Sequence, residues 1–472
     1  MALEEELLGN KDETRTWKSG LKEEVKKLSS LAAPMVVVSV SQYLVQFASL
    51  TLAGHIDELS LSGVAIASSF TNVTGFSLVL GMAGALETLC GQAYGANQYQ
   101  KLGIYTYCAS ICLSLVCLPI SILWMIMDKV LILVGQDPLI SQEATKYASL
   151  LIPALFAYAI QQSLVCYFQS QGLTFPVLIS SCTILCFHIP VCWALVYKLE
   201  LGSRGAAMSI GLSYWLNVIF LVLYMKYSSD CEKTRVTFSI DVLLSIREFL
   251  SYAIPSGVMV CLEWWSFEIL TLLSGLLPNP ELETSVLSTC LTTTTLHYFI
   301  PYGIGTAAST RISNELGGGN SNAARMAFYV ALMLAVIEAV VTSTILFCCR
   351  SVLGYVYSSE KEIVDYVEKL TPLLSLSFIM DSLQLVFCGF ARGCGWQHLG
   401  AYANMGAYYL VGIPVAAILG FLVKLRGIGL WIGILTGSCL QAFLLALITS
   451  FTNWQKEAVK AKERIFKETA NI

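Results

Sequence analysis

The chain has 472 residues, of which 56% are hydrophobic and 13% are charged, and its formal net charge is −4. Soluble proteins carry about 25% charged residues, so this shortage of charge and the mean hydropathy of +0.68 exclude a soluble globular protein of this size. The acidic balance also lacks the clustered Lys and Arg of a nucleic-acid-binding protein.

Twelve apolar segments follow one another along the chain, each near the roughly 20 residues that a helix needs to cross the hydrocarbon. Transmembrane β-strands are excluded because they would be about 10 residues long with alternating polarity. The sequence therefore predicts an all-α membrane protein of about twelve spans with no separate soluble domain. The predicted spans are 30–54, 60–86, 103–126, 147–168, 175–197, 205–226, 249–276, 285–307, 324–348, 370–391, 398–422 and 428–451.

The distribution of positive charge predicts the orientation. An even number of spans places both termini on one side of the membrane, and 19 of the 28 Lys and Arg residues fall on that side. Since Lys and Arg accumulate in cytoplasmic loops, we expect both termini to be cytosolic.

The two halves of the chain resemble each other. The pattern G-x-x-x-A-x-x-T-x-x-x-Q-x-x-G from Gly81 to Gly95 recurs from Gly303 to Gly317, with Asn in place of Gln, at an offset of 222 residues. Further matched pairs are Pro34 with Pro255, Pro153 with Pro372, and Pro190 with Pro414. Six spans separate the matched loops, so both halves enter the membrane from the same side and are predicted to be related by an axis along the membrane normal. Two pseudo-symmetric six-helix bundles would then face each other around a midplane cavity, as in many secondary carriers.

This duplication predicts the division of the chain: a cytosolic tail at 1–29, a first bundle at 30–227, a cytosolic linker at 228–248, a second bundle at 249–452 and a cytosolic tail at 453–472. The C-terminal tail is amphipathic and alternates basic with acidic residues. That mixture favours a solvated helix over one that lies on anionic lipid.

Ionisable residues inside the spans are functional candidates, because each costs about 2.5–3.5 kcal/mol to insert. The candidates are Glu263, Glu268, His297, Glu338, Asp381 and His188. Glu263 and Asp381 lie at mid-depth and are the preferred proton-coupling residues, with a static interhelical hydrogen bond as the alternative. Glu338 is interpreted as structural or water-facing, and the two histidines as core residues. Glu87 is placed near the cytosolic end of the second span, where water can reach it.

A hypothesis for coupling follows from these positions. Burial penalises the charged form of a carboxyl, so a buried carboxyl can bind a proton from one side and release it to the other. Pro255 and Pro301 each remove a backbone hydrogen bond, which makes them candidate points of helix bending. The substrate cavity is predicted to include Tyr298, His297, Glu268 and Trp264.

The sequence lacks the motifs of ATP-binding proteins and of zinc proteases. The chain has no G-x-x-x-x-G-K-[ST] pattern for ATP and no H-E-x-x-H pattern for zinc. Its sixteen cysteines are scattered singly through apolar runs, which is typical of buried free thiols. We therefore expect no enzyme activity, no metal and no cofactor, with a proton as the coupling ion.

Three stretches closely resemble signatures of the plant branch of the MATE (multidrug and toxic compound extrusion) family. They are Cys261-Leu-Glu-Trp-Trp265, Pro301-Tyr-Gly-Ile-Gly-Thr-Ala-Ala-Ser-Thr-Arg-Ile-Ser-Asn-Glu-Leu-Gly317 and Gly389-Phe-Ala-Arg-Gly-Cys-Gly-Trp-Gln397. The resemblance implies two six-helix bundles in a V and cation-driven antiport of organic molecules. It also implies that Glu263 and Asp381 are the coupling carboxylates and that Tyr298 lies near the same pocket.

One departure from the family pattern is informative. Many prokaryotic members carry an Asp in the first span where this chain has Ser49. The resemblance therefore implies coupling through the second bundle alone, and plant members commonly use protons and reside in the plasma or vacuolar membrane.

The predicted function is a proton-coupled antiporter that exports organic cations, xenobiotics or secondary metabolites by alternating access. It is expected to act as a monomer, without ATP or nucleic acid. The alternatives are a flippase of lipid-linked or other amphiphilic substrates, an intramembrane enzyme that uses Asp381, and a receptor or channel. Acids in the cavity argue against the flippase, whose cavity would be cationic.

Overall fold

The computed structural model describes the backbone of residues 2–466 and the side chains of residues 20–466. Twelve long helices account for most of this part of the chain, and a shorter thirteenth follows them. Their bounds are α1 Ala2–Gly54, α2 Glu58–Gly95, α3 Tyr99–Met125, α4 Pro138–Ser170, α5 Thr174–Lys198, α6 Gly202–Tyr227, α7 Ile246–Ser274, α8 Pro280–Gly318, α9 Ser321–Cys348, α10 Lys361–Cys394, α11 Gln397–Leu422, α12 Arg426–Ser450 and α13 Trp454–Phe466. Short helices at Met127–Leu133, Ile240–Leu244 and Arg350–Tyr357 join some of them.

Eleven of the described helices are long and apolar enough to cross a membrane. The remaining long helix, α8, has 39 residues and is less apolar because it carries four consecutive threonines at 292–295. Each of these hydroxyls donates to the backbone carbonyl four residues earlier in the same helix. Polar groups satisfied within the helix are compatible with a membrane span, and the predicted all-α fold of twelve spans is confirmed.

Helix starts explain why some spans begin earlier than their apolar windows. Helix α4 begins at Pro138, where the predicted span begins at 147, because Asp137 caps it: Oδ1 accepts from the backbone N–H groups of Leu139 at 2.8 Å and Ile140 at 3.1 Å. An Asp cap followed by Pro is a strong helix start. Polar caps thus extend the helices beyond the hydrocarbon.

The two bundles, α1–α6 and α7–α12, form a V and meet through a reciprocal contact. The glycine at the end of α2, Gly95, packs against Asn314 of α8, and its repeat counterpart Gly317 packs against Gln92 of α2. Gln92 and Asn314 are themselves repeat counterparts. Exchanging the two halves converts the contact of Gly95 with Asn314 into that of Gly317 with Gln92. Such a matched pair of contacts is what a twofold axis produces.

This close approach predicts the effect of one added methyl group. A Cβ at Gly95 would overlap the backbone of Asn314, whereas a Cβ at Gly406 in α11 meets no atom within 4 Å. We expect Gly95→Ala to lower the free energy of unfolding by about 1–3 kcal/mol through overpacking. Gly406→Ala, its matched control, should leave stability unchanged or slightly raised. Thermal unfolding of the purified variants checks this, and equal stability of the two would contradict the contact.

Helical irregularities lie away from the prolines predicted to bend. Pro255 and Pro301 lie inside continuous α-helices, so their role in bending stays a prediction. π-Helical turns instead lie at Asn72–Phe76 in α2, Ala194–Lys198 in α5, and Met405–Gly412 and Ile418–Leu422 in α11. The turns at Ala194 and Ile418 each begin four residues after a matched proline, Pro190 or Pro414, whose missing N–H disturbs the regular hydrogen-bond ladder, whereas the other two follow no proline.

The C-terminal helix α13 is docked on the protein, so the prediction of a solvated helix is wrong. Its residues Ala458, Ala461 and Ile465 are buried, because they meet the ends of the spans rather than water. Arg464 Nη1 donates to Gln92 Oε1 at 3.2 Å and to the Cys394 carbonyl at 3.0 Å, and thereby touches both bundles. Residues 467–472 of the predicted tail lie outside the described part of the chain.

Candidate coupling site and interlobe contacts

Glu263 lies on α7 with its side chain directed into the second bundle. It is buried, with 6% of its surface exposed, and lies beside the side-chain amides of Gln384 and Gln441. It also lines a small cavity between the bundles, together with Tyr298 and Tyr302 of α8 and residues of α2. The carboxyl is therefore placed where the two bundles meet.

Asp381 lies on α10 and is buried to the same degree, with 6% exposed. Its carboxyl is close enough to those of Glu263 and Glu338 for their charges to interact. The two acids preferred from the sequence thus share one region of the second bundle.

A network of uncharged polar groups surrounds these carboxyls, and the sequence analysis missed it. Tyr408 Oη lies 3.1 Å from Gln384 Oε1 and 2.8 Å from Gln441 Oε1, and its single O–H can donate to either oxygen. Gln441 Nε2 donates to Asn404 Oδ1 at 2.6 Å, and Asn404 Nδ2 to the Met259 carbonyl at 2.7 Å. One signal was available: Gln384 follows Asp381 by three residues and so shares its helix face. Glutamine and asparagine inside a span are expensive enough to be candidates in their own right.

His297 contacts Glu338 and Phe378 within the second bundle and does not line the cavity of Glu263. Its Nε2 is 2.9 Å from Glu338 Oε1, and its ring stacks on Phe378 with centroids 3.8 Å apart. The other oxygen of Glu338 accepts from Ser382 Oγ at 2.6 Å. The interpretation of Glu338 as a structural residue agrees with these contacts, and His297 is its partner. The predicted place of His297 in the substrate cavity stays a prediction.

These contacts predict a difference between two substitutions at Glu338. Glu338→Ala leaves the buried His297 and Ser382 without this partner and should cost about 1–3 kcal/mol of stability. Glu338→Gln keeps an acceptor and should cost less. Thermal unfolding separates the two, and equal losses would show that the hydrogen bonds contribute little.

The other predicted cavity residues divide into two groups. The ring of Tyr298 contacts those of Trp264 at 5.9 Å and Tyr302 at 5.8 Å between centroids. Glu268 lies on a different face of α7, where its Oε2 accepts from Ser69 Oγ of α2 at 2.7 Å. Tyr298 therefore lines the cavity of Glu263, whereas Glu268 forms a contact between the bundles.

Glu87 is not reached by water, which corrects the interpretation from the sequence. Its Oε2 accepts from Arg392 Nε at 2.9 Å, and each side chain is 5% exposed. Helix α2 ends a few residues later, but the end of α10 covers it. Arg392 Nη2 is buried without a hydrogen-bond partner among the described residues, and Arg392 and Glu87 line the same cavity as Glu263.

Further hydrogen bonds join the bundles at this end. Thr88 Oγ1 donates to the Arg392 carbonyl, and Gln92 Nε2 donates to the Gly393 carbonyl at 3.1 Å. Gln169 Nε2 donates to Thr310 Oγ1 at 2.8 Å. We call the Glu87–Arg392 pair and these bonds the interlobe seal. It closes the molecule on the side where the chain termini and the linker lie.

The corresponding region of the first bundle is polar but has no carboxylate among the side chains that the structure describes. His188 is fully buried, with Nε2 3.0 Å from Ser49 Oγ and Nδ1 2.8 Å from Ser213 Oγ. Ser49 and His188, noted separately in the sequence, are thus neighbours. The acid-containing site lies in the second bundle.

Comparison with known proteins identifies the fold and the family. The MatE family matches this chain twice, over residues 34–194 and 255–418, in agreement with the duplication. The chain belongs to the MATE family. It is 57% identical over 443 residues to Protein DETOXIFICATION 8 of Arabidopsis thaliana, covering 94% of this chain and 91% of the relative. It is 54% identical over 442 residues to Protein DETOXIFICATION 12 of the same plant, covering 94% and 92%.

Solved structures of MATE transporters have the same fold as this chain. The crystal structure of the eukaryotic MATE transporter AtDTX14 is 55% identical and matches with a TM-score of 0.92 over 94% of this chain and 100% of that chain. An outward-facing multidrug resistance MATE transporter of the MOP superfamily is only 16% identical and matches with a TM-score of 0.82 over 93% and 97%. The latter likeness supports the fold alone. The protein is an integral membrane transporter of the MATE family, and MATE proteins are not enzymes.

Proposed function

We propose that this protein is a proton-coupled antiporter that exports organic cations, xenobiotics or secondary metabolites by alternating access. The observation that carries the proposal is a pair of buried, interacting carboxyls in the second bundle: Glu263, which lines the cavity between the bundles, and Asp381. The names of the DETOXIFICATION relatives support an efflux role. With both termini in the cytosol, export would proceed from the cytosol across the plasma or vacuolar membrane.

The charges explain why a proton and a cation would exchange. A buried carboxylate without a partner is costly, so the site is stabilised by either a proton or a positively charged substrate. In the proposed cycle, protonation of the Glu263 and Asp381 pair favours release of the substrate, and deprotonation favours reloading. Aromatic rings such as that of Tyr298 would hold a flat cation through their faces.

The interlobe seal would be the part that alternates. Closure by Glu87 and Arg392 on the cytosolic side leaves the opposite side as the route for proton entry and substrate release. Within the described part of the chain, one buried nitrogen of Arg392 has no hydrogen-bond partner, and the residue lines the cavity of Glu263. We propose that deprotonated Glu263 attracts Arg392 away from Glu87 and so loosens the seal on the cytosolic side.

Purified protein in liposomes with an acidic interior tests the proposal. For exchange of one proton per monovalent cation, a gradient of one pH unit is worth about 1.4 kcal/mol, which sustains about tenfold accumulation. We expect uptake of a fluorescent organic cation that requires the gradient and collapses with a protonophore. Uptake that depends neither on the pH gradient nor on the protonophore would contradict proton coupling.

A further inference from the structure

A second cavity lies on the outer side of the first bundle, away from the coupling site. It has a volume of about 520 Å³ and is lined by α3, α4, α6 and residues 234–236 of the linker between the bundles. We call it the linker groove. Its size falls within the roughly 300–1,000 Å³ of ligand sites. Nothing in the coupling mechanism uses it.

The groove opens toward the hydrocarbon. Its lining is mostly apolar, and the rim residues Leu115, Leu118 and Val222 are 56%, 51% and 36% exposed. Along α3 it extends from Gly103 to Leu118, which is about 22 Å at 1.5 Å per residue. Half of the hydrocarbon is about 15 Å thick. The groove is therefore long enough for one extended acyl chain of the leaflet on the linker side.

The polar end of the groove is built by the linker. The Thr234 carbonyl packs so closely on Gly103 that a Cβ there would collide with it. Thr234 Oγ1 is 2.6 Å from Tyr167 Oη and donates to Gln171 Oε1 at 2.9 Å. These contacts hold the next residue, Arg235, at the mouth.

Arg235 presents a fixed positive charge at that mouth. Its Nε donates to the Met225 carbonyl at 3.0 Å and its Nη2 to the Ser228 carbonyl at 2.7 Å. These two bonds orient the guanidinium and leave Nη1 without a partner among the described residues. Lys226 and Lys233 lie at the same end of α6, and so do the acids Asp230 and Glu232, of which Asp230 accepts from Tyr224 Oη at 3.1 Å. Arg235 is the charged residue that lines the groove.

We infer that the linker groove binds one anionic phospholipid, with an acyl chain along α3 and the phosphate on Arg235. Guanidinium groups pair strongly with phosphate, and basic pockets between membrane helices on the cytoplasmic side bind anionic headgroups. A cationic amphiphile would fit the apolar part but be repelled by Arg235. A zwitterionic lipid would also fill the apolar part, but its ammonium group would weaken the attraction to the mouth.

Native mass spectrometry of the delipidated full chain tests this inference. Phosphatidylglycerol and phosphatidylcholine with identical acyl chains are added separately and then in competition. We expect one tightly retained phosphatidylglycerol and several-fold weaker retention of phosphatidylcholine. Arg235→Gln should remove the preference, and Ser114→Phe, which fills the groove, should lower retention of both lipids.

The matched control is Arg204→Gln, which removes an exposed arginine at the opposite end of α6 and should bind lipid as the wild type does. Gel-filtration profiles and melting temperatures establish that each variant is folded. Equal retention of the two lipids by the wild type, or an undiminished preference in Arg235→Gln, would overturn the inference. Displacement of phosphatidylglycerol by a fluorescent organic cation at equal concentration would also overturn it, since the groove would then be a substrate site.

Discussion

Glu263→Gln and Asp381→Asn are each expected to reduce gradient-driven accumulation of an organic cation to the level of protein-free liposomes. Both substitutions keep the size and polarity of the side chain but remove the proton-binding carboxyl. The site can then no longer exchange a proton for a cation, so the pH gradient supplies no driving force. Accumulation in liposomes with an acidic interior measures this loss directly.

A matched acid elsewhere on α10 provides the control. Glu368 is only partly buried, with 41% of its side chain exposed, and is loosely paired with Arg350, at 3.9 Å between Oε1 and Nε. Glu368→Gln should therefore transport as the wild type does. Full accumulation in both Glu263→Gln and Asp381→Asn would place the coupling site elsewhere, with Glu268 and Glu338 as the next residues to substitute.

Arg392→Gln is expected to destabilise the protein strongly, by about 3–5 kcal/mol, because it leaves the buried Glu87 without its partner. The double variant Glu87→Gln/Arg392→Gln removes both charges and should be less destabilised than the single variant. Arg350→Gln, at an exposed and loosely paired position, should change stability little. Thermal unfolding of the wild type, Glu87→Gln, Arg392→Gln and the double variant forms a double-mutant cycle that measures the interaction, and Arg350→Gln is the control outside it.

The proposed coupling role of Arg392 is tested by the distance between the bundles as a function of pH, which a loss of stability alone would not change. Spin labels at Gln100 and Asn322, two exposed positions flanking the interlobe seal, report the separation of the bundles on the side of the termini. In the wild type we expect this distance to lengthen as the pH rises and Glu263 loses its proton. In the double variant, the distance should not depend on pH. A pH response of the same size in both proteins would show that Arg392 does not connect Glu263 to the seal.

Much of the architecture could be predicted because membrane insertion imposes simple rules. The length of the apolar segments predicts the twelve spans, and the repeat of Gly81–Gly95 at Gly303–Gly317 predicts that the two bundles are related by a twofold axis. The reciprocal packing of Gly95 on Asn314 and Gly317 on Gln92 has the symmetry of that repeat, although the sequence did not predict which residues meet. The free-energy cost of placing an ionisable side chain in the membrane made Glu263, Asp381 and Glu338 candidates. The structure identifies His297 and Ser382 as the partners of Glu338.

The contacts between the bundles could not be predicted, because they join residues far apart in the sequence. Glu87 and Arg392 are separated by 305 positions, and Glu87 was interpreted only as a charge near the end of a span. The docking of α13 depends in the same way on a surface formed by other helices. The amide network of Gln384, Gln441 and Asn404 was missed because only ionisable residues were treated as candidates.

Proton counterflow tests the central claim most directly. Liposomes that contain the protein and a trapped pH-sensitive dye start without a pH gradient, with the membrane potential clamped by potassium and valinomycin, and an organic cation is then added outside. We predict that the interior becomes alkaline as protons leave in exchange for the cation, and that Glu263→Gln abolishes the change. Entry of the cation without any change of interior pH would contradict proton-coupled antiport.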